Sequence, residues 1–353
     1  MASKIKIGIT IGDINGVGPE IIIKALSHPK ILEYITPVIY GNTKVLSYHK
    51  NIVKNANFPF VSIKDIHSAA YKKINVINCW TEESDITLGQ PSKKSGQFAL
   101  MAIDKAVEDA KNGHIDAIVT APINKKAMEM AGFKHVGHTE YLQEAFEAQE
   151  VVMTMVSDST IIAVATNHLP IKDVASKIEK KKIIRKLKVL SRSLKQDFGK
   201  SRPTIGVLGL NPHAGDGGVI GSEETDVIEP AIKEAKRNDV LVAGPYPADG
   251  FFGGSDFKKV DAILAMYHDQ GLVPFKLMSF GDGVNFTAGL PVVRTSPDHG
   301  TAYNIAGENK ADASSMRKAL FLAKDLYFNR REYADSTKNP LKKESKPKEE
   351  IQE

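Results

Sequence analysis

The stretch "ILAMYHDQG", Ile263–Gly271, decides how this chain is read. An apolar run of strand length ends on a histidine and a carboxylate, just ahead of a glycine. If the run is a buried strand, the polar pair stands at its C-terminal end, where open α/β sheets border their ligand crevices. A polar loop of no consequence would begin in the same way. Two other runs repeat the pattern: "TIIAVATNH" ends on His168 and "TIGVLGLNPH" ends on His213, as this one reaches His268. Three neutral imidazoles can make a divalent metal site with room left for water or substrate. A lone histidine is more often a satisfied structural residue, and spacing alone does not bring three together.

The surroundings favour strands. "KIKIGITIG", "PVIYG", "IDAIVTAP", "VVMTMVSD", "VLVAGPYP" and "LPVVRTS" read as further strands. Between them lie helical patterns such as "GPEIIIKALSH", "SGQFALMAIDKAVEDAKNG", "HTEYLQEAFEA" and "SSMRKALFLAKDLYF". Strands alternating with helices predict an α/β fold with a mostly parallel sheet. The adjacent runs "VVMTMVSD" and "TIIAVATNH" predict some antiparallel pairing in the middle.

Composition sets the outer limits. The 353 residues, 42% hydrophobic and 25% charged, suit one large or two medium globular domains. The single cysteine, Cys79, excludes an internal disulfide framework and a Cys-rich zinc site, so any metal must be held by His, Asp or Glu. No run has the length of a membrane span or the pattern of a secretory leader, so a soluble cytoplasmic protein is expected. The net charge of +5 is local. Lys177–Lys200 holds ten Lys/Arg against two acids, and Ile183, Leu187, Leu190 and Leu194 mark it as an amphipathic helix with a basic outer face. It lacks the interleaved aromatics of a nucleic-acid surface. Residues 335–353 carry five lysines and five acids with two aliphatic residues, and are expected to form a disordered charged tail.

Other polar groups are candidates for binding. Lys276, Asn285 and Arg294 could cradle a phosphate or carboxylate, or be three unrelated surface residues. Thr139 is placed to cap the helix "HTEYLQEAF", with His138 beside it. "GDINGVGPE", Gly12–Glu20, is a tight turn between strand and helix with a weak anion-binding hint, and it matches neither the Rossmann nor the P-loop fingerprint.

Together, "NPHAGDGG", "LAMYHDQG", "GVNFTAGLP" and "RTSPDHGTA" resemble the 4-hydroxythreonine-4-phosphate dehydrogenase family, over about Ile5 to Phe328. The turn "GDINGVGPE" also looks like the GDGIGPE turn of the isocitrate/isopropylmalate dehydrogenase-like fold. "HGTAYNIAG" looks like the adenosine-binding loop of that fold, with His299, Gly300, Thr301, Ala302 and Asn304 as cofactor-binding candidates. The resemblance implies two α/β domains around a cleft, here residues 1–125 with 285–330 and residues 126–284. It implies His168, His213 and His268 as metal ligands, and His138, Thr139, Lys276, Asn285 and Arg294 as substrate-binding residues. NAD or NADP and a divalent metal (zinc, cobalt or magnesium) are the implied cofactors. A homodimer with metal ligands drawn from both subunits is implied too, with no nucleic-acid or membrane partner. The implied reaction oxidises 4-phosphooxy-L-threonine at C3 and then removes CO2, on the route to pyridoxal 5'-phosphate. Relatives that oxidise 4-phospho-D-threonate or 4-phospho-D-erythronate leave those substrates open, and a metal-dependent hydrolase is a further alternative. Asp249 is the candidate general base, with Asp269 as rival or as orienter of an imidazole. One departure stands out: Ile14 and Asn15 replace the usual Pro and Ala of the family's first glycine turn.

Overall fold

The computed structural model describes residues 4–339, apart from 55 and 280. Along the chain the strands are β1 (Ile5–Thr10), β2 (Ile35–Gly41), β3 (Phe60–Ile63), β4 (Ile74–Asn78), β5 (Ala117–Thr120) and β6 (Val152–Val156), then β7 (Ile161–Val164), β8 (Thr204–Leu208), β9 (Leu241–Tyr246), β10 (Ala262–Ala265), β11 (Val284–Ala288) and β12 (Val293–Pro297). They join in one sheet of order β3-β4-β2-β1-β5-β12-β11-β6-β7-β10-β8-β9. The α/β class and the mostly parallel sheet are as the sequence predicts.

The sheet has two parallel blocks and a reversal between them. β3, β4, β2, β1, β5 and β12 run in parallel, as do β7, β10, β8 and β9. β11 is antiparallel to both its neighbours, β12 and β6, and β6 is antiparallel to β7. The predicted antiparallel pair in the middle is therefore present. Strands β3, β4 and β11 were not expected; β11 falls in "GVNFTAGLP", where polar residues and flanking glycines mask a short strand.

Hydrophobic pattern explains the layers. β2 and β5 are buried along their whole length, as strands covered on both faces must be. Helices Lys93–Lys111 and Ser314–Thr337 pack on the first block, and helix Gly18–Leu26 packs against Ser314–Thr337. The basic helix, Lys180–Gln196, buries Ile183, Ile184, Leu187, Leu190 and Leu194. Several of its cations are paired: Lys180 with Glu234 at 2.8 Å, and Arg185 and Lys186 with Glu150 at 3.0 and 3.1 Å. With Lys182 on Glu179, three carboxylates thus engage four of its eight Lys/Arg. No helix among the described residues is long and apolar enough to cross a membrane.

The charged tail begins later than expected. Helix Ser314–Thr337 continues through Asp335, with the hydroxyls of Ser336 and Thr337 donating to the Tyr333 carbonyl at 2.9 and 2.8 Å. Residues from 340 onward lie outside the described part.

The departure at Asn15 has a structural use. Its side chain is fully buried. The amide oxygen accepts from Thr87 N at 2.9 Å, and the amide nitrogen donates to the Gln90 carbonyl at 2.9 Å. The Asn15 carbonyl accepts from Gly89 N at 2.9 Å. One side chain thus pins the segment leading into helix Lys93–Lys111. Asn15→Ala removes both of these side-chain bonds and should cost about 1–3 kcal/mol, at about 0.5–1.5 kcal/mol for each. Urea unfolding of the two proteins measures this; a loss below about 0.5 kcal/mol would mean that the segment finds other partners.

Candidate active site

The reversal at the sheet centre places alternate side chains of three neighbouring strands on one face. Asn285 of β11 stands opposite Ser296 of β12 and Met155 of β6. These residues, with Arg294 and Met153, line one pocket of about 270 Å³. That is near the lower end of small-molecule sites. The loop after β5 and the helix His138–Ala145 close one side, and helix His268–Ser279 closes another.

Arg294 dominates the electrostatics. It is 3% exposed. Nη1 donates to Thr287 Oγ1 at 3.0 Å and Nη2 to Thr120 Oγ1 at 2.7 Å, while Nε has no partner. Burial lowers its pKa to about 10, and the field of Glu140 opposes the shift. A buried guanidinium held only by hydroxyls carries an uncompensated desolvation cost of several kcal/mol, which an anionic ligand would offset. Asn285 Oδ1, Glu140 Oε2 and His299 Nε2, around the same pocket, are also buried without partners. Lys125 and Lys276 add positive charge at its wall.

The structure brings most of the expected residues together. His138, Thr139, His168, His268, Lys276, Asn285, Arg294, His299 and Gly300 all line this pocket. His168 lies beyond the end of β7, and His268 follows β10 and opens the next helix. Their rings are 5.8 Å apart, centroid to centroid. Nδ1 of His268 is 2.7 Å from Asp269 Oδ1. An ionised carboxylate can only accept, so Nδ1 carries the hydrogen and Nε2 is the ring nitrogen left to face a ligand. His168 is held below its ordinary pKa by burial and then by Lys125, against the pull of Glu140. His168 thus offers the neutral donor that a metal needs.

Other expectations fall elsewhere. His213 lies beyond the end of β8, as the sequence reading has it, but it is exposed and does not line this pocket. Among the described residues no three His, Cys, Asp or Glu side chains cluster closely enough to hold a metal. Asp249 is exposed in helix Ala248–Gly253 and is also outside the pocket. Thr139 is not a cap: the helix starts at His138, Gly137 occupies the cap position, and no side chain caps it. The first-turn N–H groups beside Arg294 are therefore left for a ligand. Thr301 packs on the first glycine turn, where a Cβ on Gly16 would come within 2.9 Å of it, and its carbonyl accepts from Val17 N at 3.0 Å. Ala302 follows with φ 42°, and Asn304 is exposed. Gly16 of "GDINGVGPE" thus serves close packing of two loops.

Sequence reasoning missed Glu140, Lys125 and Thr120. Glu140 directly follows the His138–Thr139 pair and could have been found there. Thr120 becomes a partner of Arg294 only through the pairing of β5 with β12.

Comparison with known proteins adds the decisive observation. The family model described as pyridoxal phosphate biosynthetic protein PdxA matches residues 33–323. The chain belongs to the PdxA family. A Bacteroides thetaiotaomicron protein named 4-hydroxythreonine-4-phosphate dehydrogenase is 46% identical over 97% of this chain and 94% of its own. Its namesake in Aquifex aeolicus is 42% identical over 91% and 98%. The crystal structure of 4-hydroxythreonine-4-phosphate dehydrogenase from Klebsiella pneumoniae superposes with a TM-score of 0.80 at 35% identity, covering 92% of this chain and 98% of that one.

The PdxA pocket predicts a pH response. Burial and then the nearby Arg294 hold His138 well below its ordinary value of 6.5. Over the window below that value the unfolded chain binds a proton that the folded chain refuses, so stability is full above it and falls with pH. Urea unfolding at about pH 7 and pH 5 should show a smaller loss for His138→Gln than for wild type. Equal losses in the two proteins would remove His138 as a source of the pH dependence.

Proposed function

We propose that this chain oxidises 4-phosphooxy-L-threonine at C3 with NAD or NADP as hydride acceptor and then releases CO2, giving 3-amino-2-oxopropyl phosphate for pyridoxal 5'-phosphate formation in the cytoplasm. The observation that carries the reading is the buried guanidinium of Arg294, which lacks a carboxylate in contact and faces a pocket of small-substrate size. The names of the relatives point the same way.

In this reading Arg294, Lys276 and Asn285 hold the substrate's phosphate, with the open first turn at His138 and Thr139 as further donors. His138, kept neutral, hydrogen-bonds the substrate without adding repulsion to Arg294. His168, His268 and His213 hold a divalent metal (zinc, cobalt or magnesium), whose chemistry is to lower the pKa of the substrate hydroxyl and polarise the ketone. Asp269 fixes the tautomer of His268 through their 2.7 Å contact. His299 and Gly300 face the nicotinamide side, and Thr301, Ala302 and Asn304 belong to the loop behind it. The hydroxyl proton leaves to a base, and the carbon that loses CO2 takes up a proton. Asp249 is the proposed base.

His213 and Asp249 stand outside the pocket that His168 and His268 share, so the proposal includes a homodimer in which a second copy supplies them. The exposed apolar residues Leu169 and Ile171 beside His168, and Val273 and Leu277 on the helix of His268, support a covered surface there. Residues 1–125 with 285–330, and residues 126–284, form the two proposed domains; the reversal at β11 supports a boundary there.

The test of the reading is nicotinamide reduction with 4-phosphooxy-L-threonine, 4-phospho-D-threonate and 4-phospho-D-erythronate. The first should be the best substrate; a better rate with either of the others would reassign the acid. In the same assay Arg294→Lys should raise KM for the phosphorylated acid roughly 10-fold or more and leave KM for the nicotinamide nearly unchanged.

Subunit mixing tests the shared site. His213→Ala mixed with His168→Ala, or with His268→Ala, should regain activity, because each mixed dimer then has one intact site. His168→Ala mixed with His268→Ala should regain none. Recovery by the second mixture instead of the first would place these ligands on different chains.

A further inference from the structure

We propose that Glu224 is a positioning residue, whose buried carboxylate holds the loop that carries His213 in the shape that imidazole needs as a metal ligand. The inference rests on the reading of His213 as a ligand. The loop "NPHAGDGG" has an unusual backbone. His213, Ala214, Gly215, Asp216 and Gly217 have φ of 55°, 52°, 79°, 43° and 64° in succession. For the three that are not glycine, the left-handed region costs about 1–2 kcal/mol each. A run of this kind persists only where its surroundings over-determine it.

Glu224 supplies the constraint. It is 1% exposed, and its partners in the loop are N–H groups. Oε1 accepts from Leu210 N at 2.6 Å and Asn211 N at 2.7 Å, which fixes the stem of the loop. Oε2 accepts from Asn211 Nδ2 at 2.9 Å. The same oxygen would lie 2.6 Å from a Cβ on Gly215, so the carboxylate sits against the turn itself. Glu224 opens a wide, π-helical turn, Glu224–Ile228, anchored by the fully buried Ile228. Such turns recur where a helix presents a side chain for function. His213 remains exposed at the surface of the loop, so its direction is set by this backbone.

Glu224→Gln keeps one oxygen for Leu210 and Asn211 but turns an amide N–H toward Asn211 Nδ2. Gly215→Ala pushes the carboxylate out of the turn from the other side. Co(II) is the probe, with its affinity measured by competition with a chelator and its ligand field read from the visible spectrum. Both variants should weaken Co(II) binding roughly 10- to 100-fold and alter its spectrum, while circular dichroism shows an intact fold. If one variant fails to fold, the other carries the test. A folded variant with wild-type affinity and spectrum, when His213→Ala has lost the metal, overturns the positioning role alone. If His213→Ala binds Co(II) as wild type does, His213 is no ligand, and both the metal reading and this inference fall.

Discussion

The guanidinium of Arg294 ties the centre of the sheet together. It sits on β12 and donates to Thr120 of β5 on one side and Thr287 of β11 on the other. These bonds span the point where the sheet changes direction. Two hydroxyls stabilise the N–H groups they accept but do not balance a positive charge. The fold therefore maintains an unpaired cation at its middle, and the pocket is the volume around it. Neutral histidines and an uncapped helix end complete a surface that favours an anion without adding competing carboxylate contacts to Arg294.

What the sequence disclosed followed from local pattern. The strands that end on His168, His213 and His268 were legible because an apolar run that stops at a polar residue is a local signal. So was the amphipathic helix Lys180–Gln196, with its leucines at helical spacing. β11 was hidden, because five residues holding an asparagine and a threonine between glycines look like a loop. Which histidines meet was hidden for another reason: it depends on how β10 is slotted between β7 and β8, which no spacing encodes. Thr139 misled because the favoured capping residue occurs one step inside the helix, where its side chain is buried instead.

The glycine turn gives the same lesson on a smaller scale. Read alone, Gly12–Glu20 hints at an anion. In the fold its backbone is engaged by Thr301, and its acids are used internally: Asp13 accepts from Tyr303 Oη at 2.7 Å and Glu20 from Gly307 N at 2.6 Å. Burial raises the pKa of Asp13, against those hydrogen bonds. Turn and loop form one rigid wall, so substitutions on either side are felt on the other.

The position of β11 and β12 in the sheet also orders the events of synthesis. The neighbours of β5 and β6 on their inner sides are β12 and β11, which are made more than a hundred residues later. Until residues 284–297 leave the ribosome, both blocks present an open edge of unpaired backbone groups. The last strands to be synthesised close the sheet, and they bring Asn285 and Arg294 with them. A nascent chain therefore acquires its sheet closure and its binding pocket in a single step, and a chain truncated before β11 would expose two sticky edges while lacking the residues that recognise a ligand.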